Sequence, residues 1–210
     1  MPKAPCSVWD TLGYVLLMQG DYITCEQVLR PFSESPERTF WVNHKLADAM
    51  RGQNKYYEAS ELYRRSLKEG SNSELTYRNL LQVLYELNPS KALKELQSWT
   101  ALPELSHAAI QGALAAAALV PGMELSQWLW ENGHHDGACR QRLLEEHCYN
   151  LNPADCWKIL NRVEDPTLWE QALKQKLIKL RLLPVQVQAA TGDRSVDERP
   201  PQHDQHQDVL

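Results

Sequence analysis

The chain has 210 residues, of which 43% are hydrophobic and 23% are charged. A chain of this length and balance can bury a core, so intrinsic disorder is excluded as a description of the whole. The formal net charge of −5 offers no basic surface for nucleic acid. We therefore expect a folded protein that does not bind nucleic acid.

The N-terminal segment, Met1 to Trp9, has no basic patch followed by an apolar stretch, so secretion is not expected. The longest apolar run, Ala113 to Pro121, is about half of the ~20 residues that a membrane-spanning helix needs. The five cysteines are odd in number and irregularly spaced, which is typical of reduced thiols in a reducing compartment. A cytoplasmic or nuclear location and no membrane association follow as predictions.

Six helices are predicted over the first half of the chain. Ser35-Pro36 and Asn88-Pro89 each combine a capping residue with proline at a first helical position, and Ser71 with Glu74 makes a capping box. The helices are predicted near 7–19, 22–32, 36–51, 55–69, 73–87 and 89–99.

A 34-residue repeat relates these helices to each other. When the sequence is compared with itself after a shift of 34 residues, five of six paired positions keep the size class of their side chain. The sixth pair, Phe32 with Ser66, does not. The pairs are Leu12 with Leu46, Gly13 with Ala47, Leu16 with Met50, Cys25 with Ala59, Leu29 with Tyr63, and Phe32 with Ser66. A looser third copy contains Leu80 and Leu84 and, with one loop residue deleted, Ala92, Leu96 and Trp99. Small residues at Gly13, Cys25, Ala47, Ala59 and Ala92 predict close approach of antiparallel helices. A single helix pair cannot bury both of its faces, so the pairs should stack.

The pattern resembles the tetratricopeptide repeat family. The family's pattern of Trp, Leu, Gly, Tyr, Ala, Phe, Ala and Pro is approximated by Trp9, Leu12, Gly13, Leu16, Gly20, Cys25, Leu29 and Pro36. The resemblance implies an all-α fold, a short α-solenoid of antiparallel helix pairs, with three repeats in residues 1–104. It also implies that the chain binds other proteins and is not an enzyme.

Beyond residue 104 the repeat weakens. Helices are predicted over 103–120, 123–132, 137–149, 153–163 and 166–183, with starts marked by Asn152-Pro153 and Asp165-Pro166 and a break at Pro121-Gly122. Residues 105–183 are interpreted as a degenerate or capping helical region. Residues 184–210 lose apolar periodicity and carry five acids against two arginines, so they are predicted to form a disordered tail.

In this family the first helix of each pair lines a concave groove that receives a peptide or helix of a partner. The 34-residue register assigns the following residues to that surface: Asp10, Tyr14, Leu17, Trp41, His44, Asp48, Arg51, Leu75, Arg78, Gln82 and Tyr85. Aromatic and arginine side chains are enriched at protein interfaces. The alternative interpretation of each residue is ordinary solvated surface.

Some family members hold a partner's C-terminal carboxylate through Lys, Asn and Arg on successive first helices. Asp10 and Tyr14 stand where the family pattern expects Lys and Asn, although Lys45, Arg78 and Asn79 are near in sequence. An acidic residue at the first of these positions, Asp10, repels the carboxylate of a partner. Capture of such a C-terminus is therefore not expected.

No metal, cofactor or catalytic site is predicted. A group of histidines and cysteines lacks the Cys-x-x-Cys spacing of zinc sites; its members are His134, His135, Cys139, His147, Cys148 and Cys156. Signatures of nucleophile elbows, phosphate-binding loops and zinc proteases are absent from the sequence. Recognition is therefore favoured over catalysis.

Two functional hypotheses follow. The first is an adaptor or scaffold subunit of a larger complex. The second is a regulatory or substrate-recruiting module whose catalytic part lies on another chain. A short array also leaves an apolar end, which favours self-association.

Overall fold

The computed structural model describes residues 6–36, 38–100, 106–134, 136–180 and 182. Every regular element in these ranges is a helix, which confirms the all-α prediction. The helices are α1 Cys6–Met18, α2 Tyr22–Leu29, α3 Phe40–Gly52, α4 Tyr56–Lys68, α5 Glu74–Leu87, α6 Pro89–Thr100, α7 His107–Leu119, α8 Glu124–Glu131, α9 Gly137–Tyr149, α10 Pro153–Leu160 and α11 Leu168–Lys179, with a 3-10 turn at Arg30–Phe32. The predicted tail, 184–210, lies outside the described residues.

Two predicted helix starts agree with the structure. Helix α6 begins at Pro89, and helix α10 begins at Pro153, where the Asn152 side chain accepts a hydrogen bond from the backbone N–H of Asp155. Asp165-Pro166 is wrong as a start. Helix α11 begins two residues later because Thr167 and Glu170 form a capping box there.

Ser35-Pro36 is also wrong as a helix start, because the Arg38 N–H donates to the Ser35 carbonyl in a turn and α3 begins only at Phe40. Ser71 does not cap α5, which begins after Ser73. The Ser71 N–H instead donates to the Ser66 carbonyl and closes the end of α4.

Residues Met1 to Glu146 form one compact unit. Within it, consecutive helices pack as pairs: α1 with α2, α3 with α4, α5 with α6, and α7 with α8. The first helices of successive pairs also touch, α1 with α3, α3 with α5, and α5 with α7. Helices α1, α3 and α5 are therefore neighbours in this order.

Small residues lie where the sequence predicts close helix approach. Gly13, Cys25, Ala47, Ala59 and Ala92 are all buried. A Cβ atom added to Gly13 would lie 2.7 Å from Leu29 Cδ1 in α2. A larger side chain there would therefore push the pair apart.

The second compact unit starts at His147. Helices α10 and α11 pack on each other in it, and their buried apolar residues are Cys156, Trp157, Ile159, Leu160 and Leu177. Lys174 Nζ lies 5.2 Å from the centre of the Trp157 ring, a cation–π contact. No helix in the described ranges combines the length and apolar character that crossing a bilayer requires.

Candidate functional site

The predicted groove residues occupy three neighbouring helices of the first unit. We call this set the first-helix surface. Helix α1 carries Asp10, Tyr14 and Leu17, helix α3 carries Trp41, His44, Asp48 and Arg51, and helix α5 carries Leu75, Arg78, Gln82 and Tyr85. Most of these side chains are partly or fully exposed, but His44 and Tyr85 are buried.

Asp48 is the centre of a hydrogen-bond network that joins α3, α4 and α5. The Tyr63 hydroxyl of α4 donates to Asp48 Oδ1. Asn79 Nδ2 of α5 donates to the same oxygen at 2.9 Å, and His44 Nε2 lies 3.3 Å from Asp48 Oδ2. The other His44 nitrogen, Nδ1, lies 2.8 Å from Thr76 Oγ1. The network fixes three helices with one carboxylate.

The network also sets the charge of its members. Burial raises the pKa of Asp48, but the hydrogen bonds from His44 and Tyr63 and the positive charge of Arg51 outweigh burial, so the net shift of the pKa is downward. Burial and the Asp48 carboxylate raise the pKa of Tyr63 well above its ordinary value. Asp48 is therefore an anion at neutral pH, and Tyr63 is a neutral donor.

Arg51 and Gln82 extend the network toward solvent. Arg51 Nη1 donates to Gln82 Oε1 at 3.2 Å, and Arg51 Nη2 lies 3.6 Å from Asp48 Oδ1. About a third of the Arg51 side chain is exposed. The guanidinium is thus held in place while part of it faces outward.

At the α1 edge of the first-helix surface, Lys45 of α3 contacts two of the predicted groove residues, Asp10 and Tyr14. Lys45 Nζ lies 2.8 Å from Asp10 Oδ1, 3.1 Å from the Asp10 carbonyl and 5.8 Å from the centre of the Tyr14 ring. The negative charge of Asp10 is therefore balanced within the protein. Tyr14 itself is 54% exposed.

Trp41 and Arg78 are held less completely. The Trp41 ring packs edge-on against His44 at 5.3 Å and is partly exposed. Arg78 Nε donates to Asn79 Oδ1 at 3.1 Å. Among the residues that the structure describes, no carboxylate pairs with Arg78. These two side chains present an apolar ring and an unneutralised cation.

Tyr85 has an internal role. Its hydroxyl donates to Glu124 Oε2 of α8 at 2.7 Å, and burial together with the Glu124 carboxylate raises the pKa of Tyr85 to about 12. Tyr85 therefore ties α5 to α8. Glu124 lies 39 residues away, and no local pattern in the sequence links the two.

Sequence reasoning did not identify Tyr63, Thr76 and Asn79 as members of the site. A signal for such partners exists in the spacing of polar pairs. Several contacts between neighbouring helix pairs join residues 31 apart, which is the 34-residue repeat less three residues, about one helical turn. The pairs are Glu34 with Arg65, Asp48 with Asn79, Arg51 with Gln82, and Arg64 with Glu95.

The histidines and cysteines of the later helices do not converge on one point. Cys139 is buried in the core of the first unit, whereas Cys148 and Cys156 belong to the second unit, with their Sγ atoms 3.7 Å apart. Within the described ranges no group of three or more His, Cys, Asp or Glu side chains is arranged to hold a metal ion. His135 lies outside those ranges.

Comparison of the chain with protein-family models, with curated proteins and with solved structures found no match. The geometry of the first-helix surface is therefore the basis for a functional proposal.

Proposed function

We propose that the chain is a protein-recognition module of the tetratricopeptide type, an adaptor or scaffold subunit that binds a peptide or helix of a partner. In this proposal the helix pairs α1–α2, α3–α4 and α5–α6 are three successive repeats of a short solenoid. The first-helix surface is its binding groove.

One observation carries the proposal: two outward side chains of α3, Asp48 and Arg51, are held in position with the help of buried partners. Asp48 is fixed by Tyr63 and Asn79, and it in turn positions Arg51. Side chains that are already ordered lose little conformational entropy when a ligand arrives. Ordinary solvated surface does not need such support.

The 31-residue spacing of polar pairs supports the repeat reading. In a stack of equivalent helix pairs, a residue can contact a residue of the next pair. That second residue lies one full repeat further along the chain, less about one helical turn. Asp48 of α3 meets Asn79 of α5, and Arg64 of α4 meets Glu95 of α6, at the same spacing. A regular stack is the simplest arrangement that yields this repetition.

The exposed chemistry defines the ligand. Tyr14 and Trp41 offer apolar rings, and Arg78 offers a cation without a carboxylate partner among the described residues. A peptide or helix with an apolar side chain beside an acidic one complements this surface.

The test is a screen of the native chain against a displayed peptide library, followed by affinity measurement for the selected peptides. The double variant Trp41→Ala with Arg78→Ala should weaken binding roughly 30-fold or more, since loss of a central aromatic or arginine contact costs about 2 kcal/mol or more. Circular dichroism establishes that the variant remains helical.

The matched control is Tyr57→Ala with Lys94→Ala, which removes one aromatic and one cation from the exposed side of α4 and α6. We expect binding within about twofold of wild type for this control. If the control loses binding and the groove variant keeps it, the recognition surface lies on the second helices, and the proposed groove is wrong.

A further inference from the structure

Two cysteine side chains meet at the turn between α9 and α10. Cys148 lies in the last turn of α9, Cys156 lies in α10, and their Sγ atoms are 3.7 Å apart. The turn is built by a defined helix end. The Leu151 N–H donates to the Cys148 carbonyl, the Asn152 N–H donates to the His147 carbonyl, and Leu151 has φ +53°. Asn152 then caps α10, which fixes the position of Cys156.

The two thiols differ in access to solvent. Cys148 is half-buried and lines a largely apolar cleft of about 520 Å³ together with His147, Leu173 and Lys176. Cys156 lines the same cleft but lies deeper, at 1% exposure, where burial and then the neighbouring Cys148 thiol raise its pKa. Two other described cysteines, Cys25 and Cys139, are fully buried in the first unit. Among the cysteine side chains that the structure describes, Cys148 is therefore the most exposed, and a small reagent reaches it most readily.

We propose that Cys148 and Cys156 are a modification site that forms an intramolecular disulfide by exchange with a low-molecular-weight disulfide such as glutathione disulfide. The Cys148 thiolate attacks one sulfur of the reagent, a mixed disulfide forms on Cys148, and one glutathione leaves as thiol. The Cys156 thiol then gives up its proton as its sulfur attacks Cys148 Sγ, the protein disulfide forms, and the second glutathione takes up a proton and leaves as thiol. In total the protein loses two protons and two electrons, and the two glutathione thiols that leave carry them.

The separation of the two Sγ atoms leaves only a short movement for the second step. A disulfide bond has its sulfur atoms about 2.05 Å apart, so the two Sγ atoms must approach by less than about 2 Å. Rotation about the Cα–Cβ bonds moves sulfur atoms by this amount. The order of attack follows from exposure, because the reagent meets Cys148 first and Cys156 contacts Cys148.

The experiment treats the native full chain with glutathione disulfide and measures intact mass and thiol-linked peptides. Wild type should lose the mass of two hydrogens, link the peptides of Cys148 and Cys156, and regain both thiols on reduction. Cys156→Ser should stop at a stable glutathionyl adduct on Cys148. Cys148→Ser should remain unmodified at Cys156 while the protein is folded.

The control Cys6→Ser should oxidise as wild type does. If Cys156→Ser fails to fold by circular dichroism, Cys156→Ala, which keeps the site apolar, serves instead. A wild-type protein that retains a glutathionyl adduct on Cys148 without forming the bond would overturn the proposal. Equal oxidation of Cys148→Ser and wild type would overturn it as well.

Discussion

At the scale of single residues, Glu26 shows how one carboxylate joins separate parts of the first unit. Its oxygens accept from Arg30 in the 3-10 turn that follows α2 at 2.6 Å, and from Gln53 at 2.8 Å and Lys55 at 3.0 Å in the loop between α3 and α4. Burial raises the pKa of Glu26, but these three partners outweigh burial and lower it from 4.5 to about 2.

This shift predicts a specific pH dependence of stability. The pKa is lower in the folded state than in the unfolded chain, so the added stability is complete above pH 4.5 and is lost as pH falls toward about 2. Glu26→Gln should therefore be less stable than wild type at neutral pH, and the difference should shrink across that interval. Denaturant unfolding at a series of pH values measures it.

The control for this prediction is Glu86→Gln, which neutralises an exposed carboxylate on α5. It should lie close to wild type in unfolding free energy at each pH. A Glu26→Gln protein whose deficit stays constant down to the lowest pH would show that the carboxylate charge is not what its partners bind.

The residues of the candidate surface could be predicted from the sequence only in part. A 34-residue register is enough to assign Trp41, Asp48 and Arg78 to first helices, because helix faces follow from periodicity. It does not reveal that His44 turns inward to Thr76, or that Lys45 reaches back to Asp10. Such contacts depend on helix crossing geometry, which a one-dimensional pattern does not contain.

At the scale of helices, α5 and α7 approach each other closely at Gly112. A Cβ atom added there would lie 2.6 Å from Tyr77 Cβ, 2.7 Å from the Glu74 carbonyl oxygen and 3.0 Å from the Arg78 backbone nitrogen. Two of these neighbours are backbone atoms, which do not yield by changing rotamer. The alanine-rich sequence of α7 serves the same close packing, with Ala109, Ala113 and Ala116 buried.

We therefore predict that Gly112→Ala destabilises the protein by about 1–3 kcal/mol, as overpacking of a tight interface does. Gly137→Ala is the matched control, because nothing lies within 4 Å of a Cβ atom added to Gly137 at the start of α9. That variant should be neutral or more stable by up to about 1 kcal/mol. Thermal and denaturant unfolding of both variants measure the difference. Equal stability of the two would mean that α5 and α7 are further apart than described.

Helix ends were harder to predict than helix bodies. Caps depend on which partners a side chain finds in three dimensions, and Ser71 illustrates this. Its N–H closes α4 and its hydroxyl lies 3.0 Å from Thr76 Oγ1, while α5 begins after Ser73, whose side chain makes no capping hydrogen bond. The helix bodies follow from apolar spacing and were predictable for that reason.

At the scale of the whole molecule, α1 differs from the helices that repeat it. Val42, Leu46 and Ala49 on α3 are completely buried. One 34-residue repeat earlier, Val8 is 51% exposed, Leu12 37% and Val15 43%. These three positions are spaced four and three residues apart, so they form one apolar stripe along α1. In α3 the equivalent stripe is covered by the preceding helix pair, and in α1 it faces solvent.

An exposed apolar stripe of this kind favours burial against a second copy of the chain. We predict reversible self-association of the wild type, with a mean mass that rises with concentration in sedimentation velocity experiments. Val8→Glu with Val15→Glu should keep the protein at monomer mass, because two carboxylates on the stripe cannot be desolvated without partners. Leu119→Glu changes a residue of similar exposure, 60%, on α7 and should self-associate as wild type does. If wild type stays monomeric at every concentration, the stripe on α1 does not bind a second copy.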